Sequence, residues 1–280
     1  MRPVCFLAER IRPWRSVKIS GGNTGLRRYS LVGECSSCGW LMNSFDADIL
    51  RFLNQFARRS LTWDGFVATL EYASLFKGAA IMAGFLWIWF REGENKTRDR
   101  EFVPLSLLAS AASVLLARAL ALTLPFRERP LRNPSLHFQL PYVMNLETLR
   151  NWSSFPSDHA AFSFTAATCL LFVSRRLGIL ALLYSFFVIC FPRVYLGIHY
   201  PTDIVVGALL GVAMAFWVKL SPLRTAVARP FVRWEKVYPS RFYTIFFVVT
   251  FEFAEMFDSV RAIGKFVFIT AKTAANQLLH

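Results

Sequence analysis

Three short clusters in this sequence carry side chains that bind anions or move protons. LPFRERPLRNP holds Arg127, Arg129 and Arg132; SSFPSDHA holds Ser157, Asp158 and His159; PRVYLGIHYPTD holds Arg193, His199 and Asp203. Arginine presents a planar fork of donors that matches phosphate oxygens. A helix beginning at Ser157–His159 adds free backbone N–H groups and the positive end of its dipole, which together form an anion site. A histidine with an aspartate four residues on, as at His199 and Asp203, can be held in one tautomer with its other ring nitrogen free to attack. A second histidine can protonate a departing oxygen. These parts suit phosphoryl transfer through a phosphohistidine. Arginine then neutralises the equatorial oxygens in place of a metal ion, so neither metal nor cofactor is expected.

The elements that must hold these clusters are apolar. Of 280 residues, 55% are hydrophobic, including 28 Phe and 8 Trp, and the mean hydropathy is +0.39. Uncharged blocks run over Phe102–Ala117, Ala160–Ser174, Leu177–Pro192 and Ile204–Val218, with another over Gly78–Phe90. Each reaches the ~20 residues needed to span a bilayer once its flanks are counted. Such recurrence, with short polar links, implies an all-α, polytopic membrane helical bundle. The net charge of +14 comes mainly from Lys and Arg at block ends and in the two tails. That distribution fits a membrane surface and argues against nucleic acid, as does the lack of aromatic and basic interleaving. Cys169 and Cys190 lie inside apolar blocks, and Cys35 with Cys38 is one CxxC without a second pair, too little for a zinc site. Arg10, Arg12 and Arg15 interrupt any signal-peptide pattern.

Along the chain, residues 1–41 are a polar basic tail, expected to be disordered or non-native. Residues 42–69 form an interfacial amphipathic segment, in which Ile49, Phe52, Leu53 and Phe56 share a helical face and Ser44 or Asp46 caps the helix. A membrane core follows over 70–220, with crossings expected at roughly 70–90, 102–125, 158–174, 177–192 and 203–219. Residues 221–280 are a basic linker and a C-terminal segment, FYTIFFVVTFEFAEMF. It forms a sixth crossing or, because of Glu252 and Glu255, an interfacial helix, so five or six transmembrane helices are expected. The links 91–101, 175–176 and 219–241 hold twelve Lys/Arg, against five in 126–157 and 193–202. The positive-inside tendency then places the first set in the cytoplasm and all three polar clusters on the outer side.

With order and spacing in view, the clusters resemble the three signature motifs of the type-2 phosphatidic acid phosphatase superfamily, K-x6-R-P, P-S-G-H and S-R-x5-H-x3-D. Arg193, His199 and Asp203 match the third, with Pro192 in the Ser position. Pro156, Ser157 and His159 match the second, with Asp158 in place of Gly. Arg129-Pro130 match the first, where Leu122 stands for the Lys, and Arg118 and Arg127 are the candidates to replace it. The resemblance implies that His199 is the nucleophile, Asp203 orients it and His159 is the general acid. It also implies that Arg129, Arg193 and Ser157 hold phosphate. Asp158 is expected to act as a helix-capping residue favoured by the dipole. SFPSDHA and GIHYPTDI are most similar to bacterial undecaprenyl-diphosphatases. That similarity implies a lipid phosphate or diphosphate substrate, a bilayer as partner, and an inner-membrane protein whose site faces away from the cytoplasm. Phosphatidic acid or phosphatidylglycerol phosphate phosphatase, lipid phosphotransferase of the same fold, and non-catalytic lipid-binding or transport protein are the alternatives.

Overall fold

Helix starts and stops, more than hydropathy, set the frame of this structure, a computed structural model that describes residues 43–147, 149–219, 222, 224–260 and 263. The expectation for residues 1–41 lies outside the described residues. Every regular element among the described residues is helical. In order they are α1 (Ser44–Asn54), α2 (Leu61–Tyr72), a π-helical turn (Leu75–Ala79) leading into α3 (Ala80–Phe90), α4 (Lys96–Thr123) and α5 (Asp158–Val173). Then come α6 (Arg175–Tyr184), a second π-helical turn (Ser185–Cys190), α7 (Phe191–Tyr195), α8 (Pro201–Ala215), α9 (Arg229–Val237) and α10 (Pro239–Ala254).

Among the described residues, three stretches are long and apolar enough to cross a membrane: Lys96–Thr123, Arg175–Tyr195 and Pro201–Lys219. The pair Leu61–Tyr72 and Leu75–Phe90, bent by 64°, makes a fourth if it is one span. This is fewer than the five or six drawn from sequence, and α5 shows why. Ser157 caps it at one end and extended backbone at Ser174 ends it at the other, leaving 16 residues. At 1.5 Å per residue that is about 24 Å, short of a ~30 Å hydrocarbon core. The flank before Ser157 is not helical, and the one after Ser174 belongs to α6.

Small residues make α5 the packing centre of the bundle. Ala160, Ala161, Ala166 and Ala167 are buried, and α4, α6 and α8 pack around them. Gly207 and Gly211 of α8 meet α5 backbone directly: a Cβ at Gly207 would stand 2.4 Å from the Ser157 carbonyl oxygen, and one at Gly211 2.4 Å from that of Ala161. Such close approach is how helices associate where apolar burial gives no advantage over lipid. Gly207→Leu is therefore expected to push the start of α5 aside and to destabilise the protein by about 1–3 kcal/mol, the usual cost of overpacking. A lowered thermal midpoint in detergent, relative to Gly65→Leu, whose Cβ would have nothing within 4 Å, checks this.

The N-terminal end of the described chain differs from expectation. The α1 cap is Asn43, whose side chain accepts from the Asp46 N–H at 2.7 Å, and neither Ser44 nor Asp46 fills that role. Asp46 instead turns inward, fully buried, onto Arg127 and Thr202. The C-terminal α10 packs back on α3: Trp89 stacks on Phe242 at 5.4 Å and lies 5.1 Å from Phe246. Just past α10, Asp258 pairs with Lys77 at 2.8 Å, tying this segment to the turn before α3.

Candidate active site

The three polar clusters converge because four helix ends meet: the C-terminal end of α4, the start of α5, the end of α7 and the start of α8. Residues 124–157 cross between α4 and α5 and, among the described residues, form two short 3-10 turns, Pro130–Arg132 and Pro134–Leu136. This crossover is sewn to the α7–α8 loop by the Leu131 N–H donating to the Gly197 carbonyl at 3.0 Å. The loop itself folds over Arg193, whose carbonyl accepts from the N–H groups of Ile198 (2.9 Å) and His199 (3.1 Å). The Ser157 N–H donates to the Asp203 carbonyl at 3.2 Å, which locks the α5 and α8 starts together.

Between these ends lies a cavity of about 230 Å3, lined by His159, His199, Arg118, Arg129, Arg193 and Asp158, with Glu71, Lys77 and Asp258. His199 is buried, with Nδ1 2.8 Å from the Ser154 carbonyl and 3.5 Å from Asp203 Oδ2. A carbonyl only accepts, so the proton sits on Nδ1 and Nε2 keeps its lone pair. Asp203 thus shares the orienting of His199 with a main-chain oxygen, and the oxygen is the nearer partner. Asp203 is itself held by the Tyr200 N–H at 2.9 Å and by Arg127. Burial lowers the His199 pKa below its ordinary 6.5, opposed by its bond to Asp203. The neutral, nucleophile-competent ring therefore persists below that value and is lost as pH falls through the lowered one. Catalytic efficiency is accordingly expected to fall on the acid side with an inflection below 6.5. A pH profile that already declines well above it would be at odds with this environment.

The arginines divide into two kinds. Arg129 donates from Nη1 to the Ile198 carbonyl at 2.7 Å and from Nη2 to the Ser153 carbonyl at 3.4 Å, while Nε has no hydrogen-bond partner among the described residues. Arg193 reaches the Ile189 carbonyl and lies 3.0 Å from Glu71 Oε2, while its Nη2 likewise has no partner. Both are buried and line the cavity. Burial pulls the Arg129 pKa down to about 10, with Asp158 and Asp203 opposing, so it remains charged at neutral pH.

Arg127, expected as a candidate phosphate ligand, is of the other kind. Its donors serve Thr202 at 2.9 Å, Asp46 at 2.8 Å and Asp203, its guanidinium lies 4.0 Å from the centre of the Tyr200 ring, and it does not line the cavity. Two buried carboxylates hold it away from the site. Ser157 also departs from expectation. Its hydroxyl accepts from the Ala160 N–H at 3.4 Å as the α5 cap, and it stands outside the cavity wall. Asp158, expected to cap, does so only in part: one oxygen accepts from the His159 N–H at 2.9 Å and also meets His159 Nδ1 at 2.8 Å, and the other pairs with Arg118. Arg118 reaches the cavity from the turn before Leu122, while Leu122 points outward, 80% exposed.

Sequence reasoning missed Asp46, Glu71, Ser154, Lys77 and Asp258. An acid inside an apolar stretch was the available signal for Glu71. A main-chain carbonyl such as that of Ser154 leaves no signature at all.

An imidazole with its free nitrogen already fixed, facing spare guanidinium donors at one end of a helical bundle, defines a class: enzymes that move phosphoryl groups at a membrane surface. The family model of the PAP2 superfamily matches residues 105–225, which contain all three clusters. Lipid A 1-diphosphate synthase of Escherichia coli (strain K12) is 31% identical over 66% of this chain and 78% of its own length. Lipid A 4'-phosphatase of Bacteroides thetaiotaomicron is 31% identical over 61% and 73%. An undecaprenyl-diphosphatase of Bacillus subtilis (strain 168) is 24% identical over 58% and 74%. The chain belongs to the PAP2 superfamily and is a membrane lipid phosphatase.

Proposed function

We propose that this protein removes the terminal phosphate of a lipid diphosphate, with undecaprenyl diphosphate as substrate, giving the monophosphate and free phosphate through a phosphohistidine on His199. The observation that carries this reading is the pairing of spare N–H groups on buried Arg129 and Arg193 with a His199 ring whose Nε2 is free, all on one cavity. The two guanidiniums take the equatorial oxygens, and His199 Nε2 attacks in line. Protonated His159 gives its Nε2 proton to the leaving oxygen, and water then opens the phosphohistidine. Asp203 and the Ser154 carbonyl hold the nucleophile's tautomer, and Arg127 holds Asp203.

In this reading α5 is a short central crossing added to the four longer elements, making five. The site end of the bundle faces away from the cytoplasm of a bacterial inner membrane. Its opposite end, with Arg98, Arg175, Arg176 and Lys219, faces the cytoplasm under the positive-inside tendency. An outward site suits a spent carrier diphosphate released on that face. A relative named for making lipid A 1-diphosphate supports a second reading, in which the phosphoryl group passes to another lipid instead of water.

The test is phosphate release by the purified protein from undecaprenyl diphosphate, phosphatidate and phosphatidylglycerol phosphate, with chelator present. Preferred release from the diphosphate, unchanged by chelator, is expected. Preferred release from either monophosphate would overturn the substrate, and loss with chelator would overturn the metal-free chemistry. Phosphate that appears only when a lipid acceptor is added, and on that acceptor, would favour transfer.

A further inference from the structure

Two departures from the family pattern, Asp158 for Gly and Leu122 for Lys, meet in one structural unit. Asp158 is the first residue of α5 and is buried; Ser157 holds the cap position, so the helix terminus engages the Asp158 carboxylate through the His159 N–H and leaves it capacity for side-chain partners. One oxygen accepts from the His159 N–H at 2.9 Å and lies 2.8 Å from His159 Nδ1. The other pairs with Arg118 of α4, whose guanidinium lies 4.7 Å from the centre of the Trp152 ring. Arg118 starts one turn before Leu122 and so brings a cation to this end of α4, but that cation is matched by Asp158.

We propose that Asp158 is a positioning residue for the general acid. It fixes His159 with Nδ1–H on the carboxylate and Nε2 towards the leaving group, and Arg118 in turn fixes Asp158. This rests on the phosphohistidine reading and adds to it a second histidine–carboxylate pair, so that each imidazole on the cavity has its own acidic partner. As the His199 Nε2–phosphorus bond forms and the bond to the leaving oxygen breaks, the electron pair goes to that oxygen, which takes the proton from His159 Nε2. Asp158 exchanges no proton; it holds the ring and stabilises the imidazolium that precedes transfer, the division of labour known for histidine–carboxylate pairs in hydrolases. Arg118 therefore acts through Asp158 and is not a direct phosphate ligand. The charges facing the ring across the cavity are Arg193, Arg129 and Glu71, with His199 beside them, and none of them touches Nδ1 in place of Asp158.

A proton donor matters most when the leaving oxygen is basic, which gives the test. Wild type, Asp158→Asn and His199→Ala are compared on phosphatidate, which expels an alkoxide, and p-nitrophenyl phosphate, which expels a phenolate needing no proton. Asp158→Asn is expected to lower kcat on phosphatidate about 100-fold, the lower range for loss of general acid catalysis. On p-nitrophenyl phosphate the loss is about tenfold or less, with KM for both within about threefold of wild type. Arg118→Gln shows the same split, more weakly. Turnover by His199→Ala would remove the underlying reading. A dead His199→Ala beside an Asp158→Asn that loses both substrates by one factor, or neither, overturns the positioning role alone. If Asp158→Asn does not fold, Asp158→Gly, the residue of the family pattern, and Arg118→Gln carry the same comparison.

Discussion

Replacing His199 by alanine is expected to abolish lipid phosphate hydrolysis, with a loss of about ten-thousand-fold or more, because the covalent route runs through this ring. The ring is buried, and removing it leaves a void next to the Ser154 carbonyl. The thermal midpoint in detergent must therefore be followed beside phosphate release. His199→Gln keeps a donor for that carbonyl at similar bulk and is expected to be as inactive while folding more stably than the alanine variant. Release comparable to wild type from either folded variant would refute the phosphohistidine route. His159→Ala, which removes only the proton donor, is expected to retain more activity than either, since acid–base catalysis contributes about a hundred- to ten-thousand-fold.

Arg127→Ala is expected to act first on folding. Arg127 is the shared cation between Asp46 and Asp203, both fully buried. Without it two carboxylates remain in the interior with hydroxyl and backbone donors and, for Asp203, the His199 ring, and breaking a buried ion pair from one side costs about 3–5 kcal/mol. The Tyr200 ring beneath the guanidinium would lose its cation as well. Adding Asp46→Asn to Arg127→Ala is expected to restore part of the stability, because one uncompensated charge is gone. Thermal or denaturant unfolding in detergent measures both changes. A well-folded Arg127→Ala protein whose only defect is a raised KM would mean that Arg127 binds phosphate after all.

How far the sequence carries depends on the kind of signal. Apolar blocks announce an all-helical membrane bundle, since length and hydropathy are local properties of the chain. Their lengths mislead at α5, because caps at Ser157 and Ser174 decide where a helix ends and hydropathy does not register them. His199, His159, Arg129 and Arg193 are legible through spacing, and the structure brings all four to one cavity. Arg127 looks like Arg129 in sequence and differs through Asp46, Thr202 and Asp203, partners far away in the chain. Asp158 has the residue type and position of a cap, and only the placement of Arg118 and the His159 ring shows where its carboxylate goes. Asp258 comes from a segment beyond the family pattern, yet it lines the same cavity beside Lys77.

The most direct measurement is capture of the covalent intermediate. The purified protein is mixed with substrate carrying radiolabelled terminal phosphate, quenched in alkali within the first turnovers, and digested for peptide mapping. The expected result is an acid-labile, alkali-stable label on the peptide that contains His199, absent from His199→Ala and unaffected by chelator. Label on any other residue, or steady turnover with no labelled protein at any time, would contradict a phosphoryl group carried by His199.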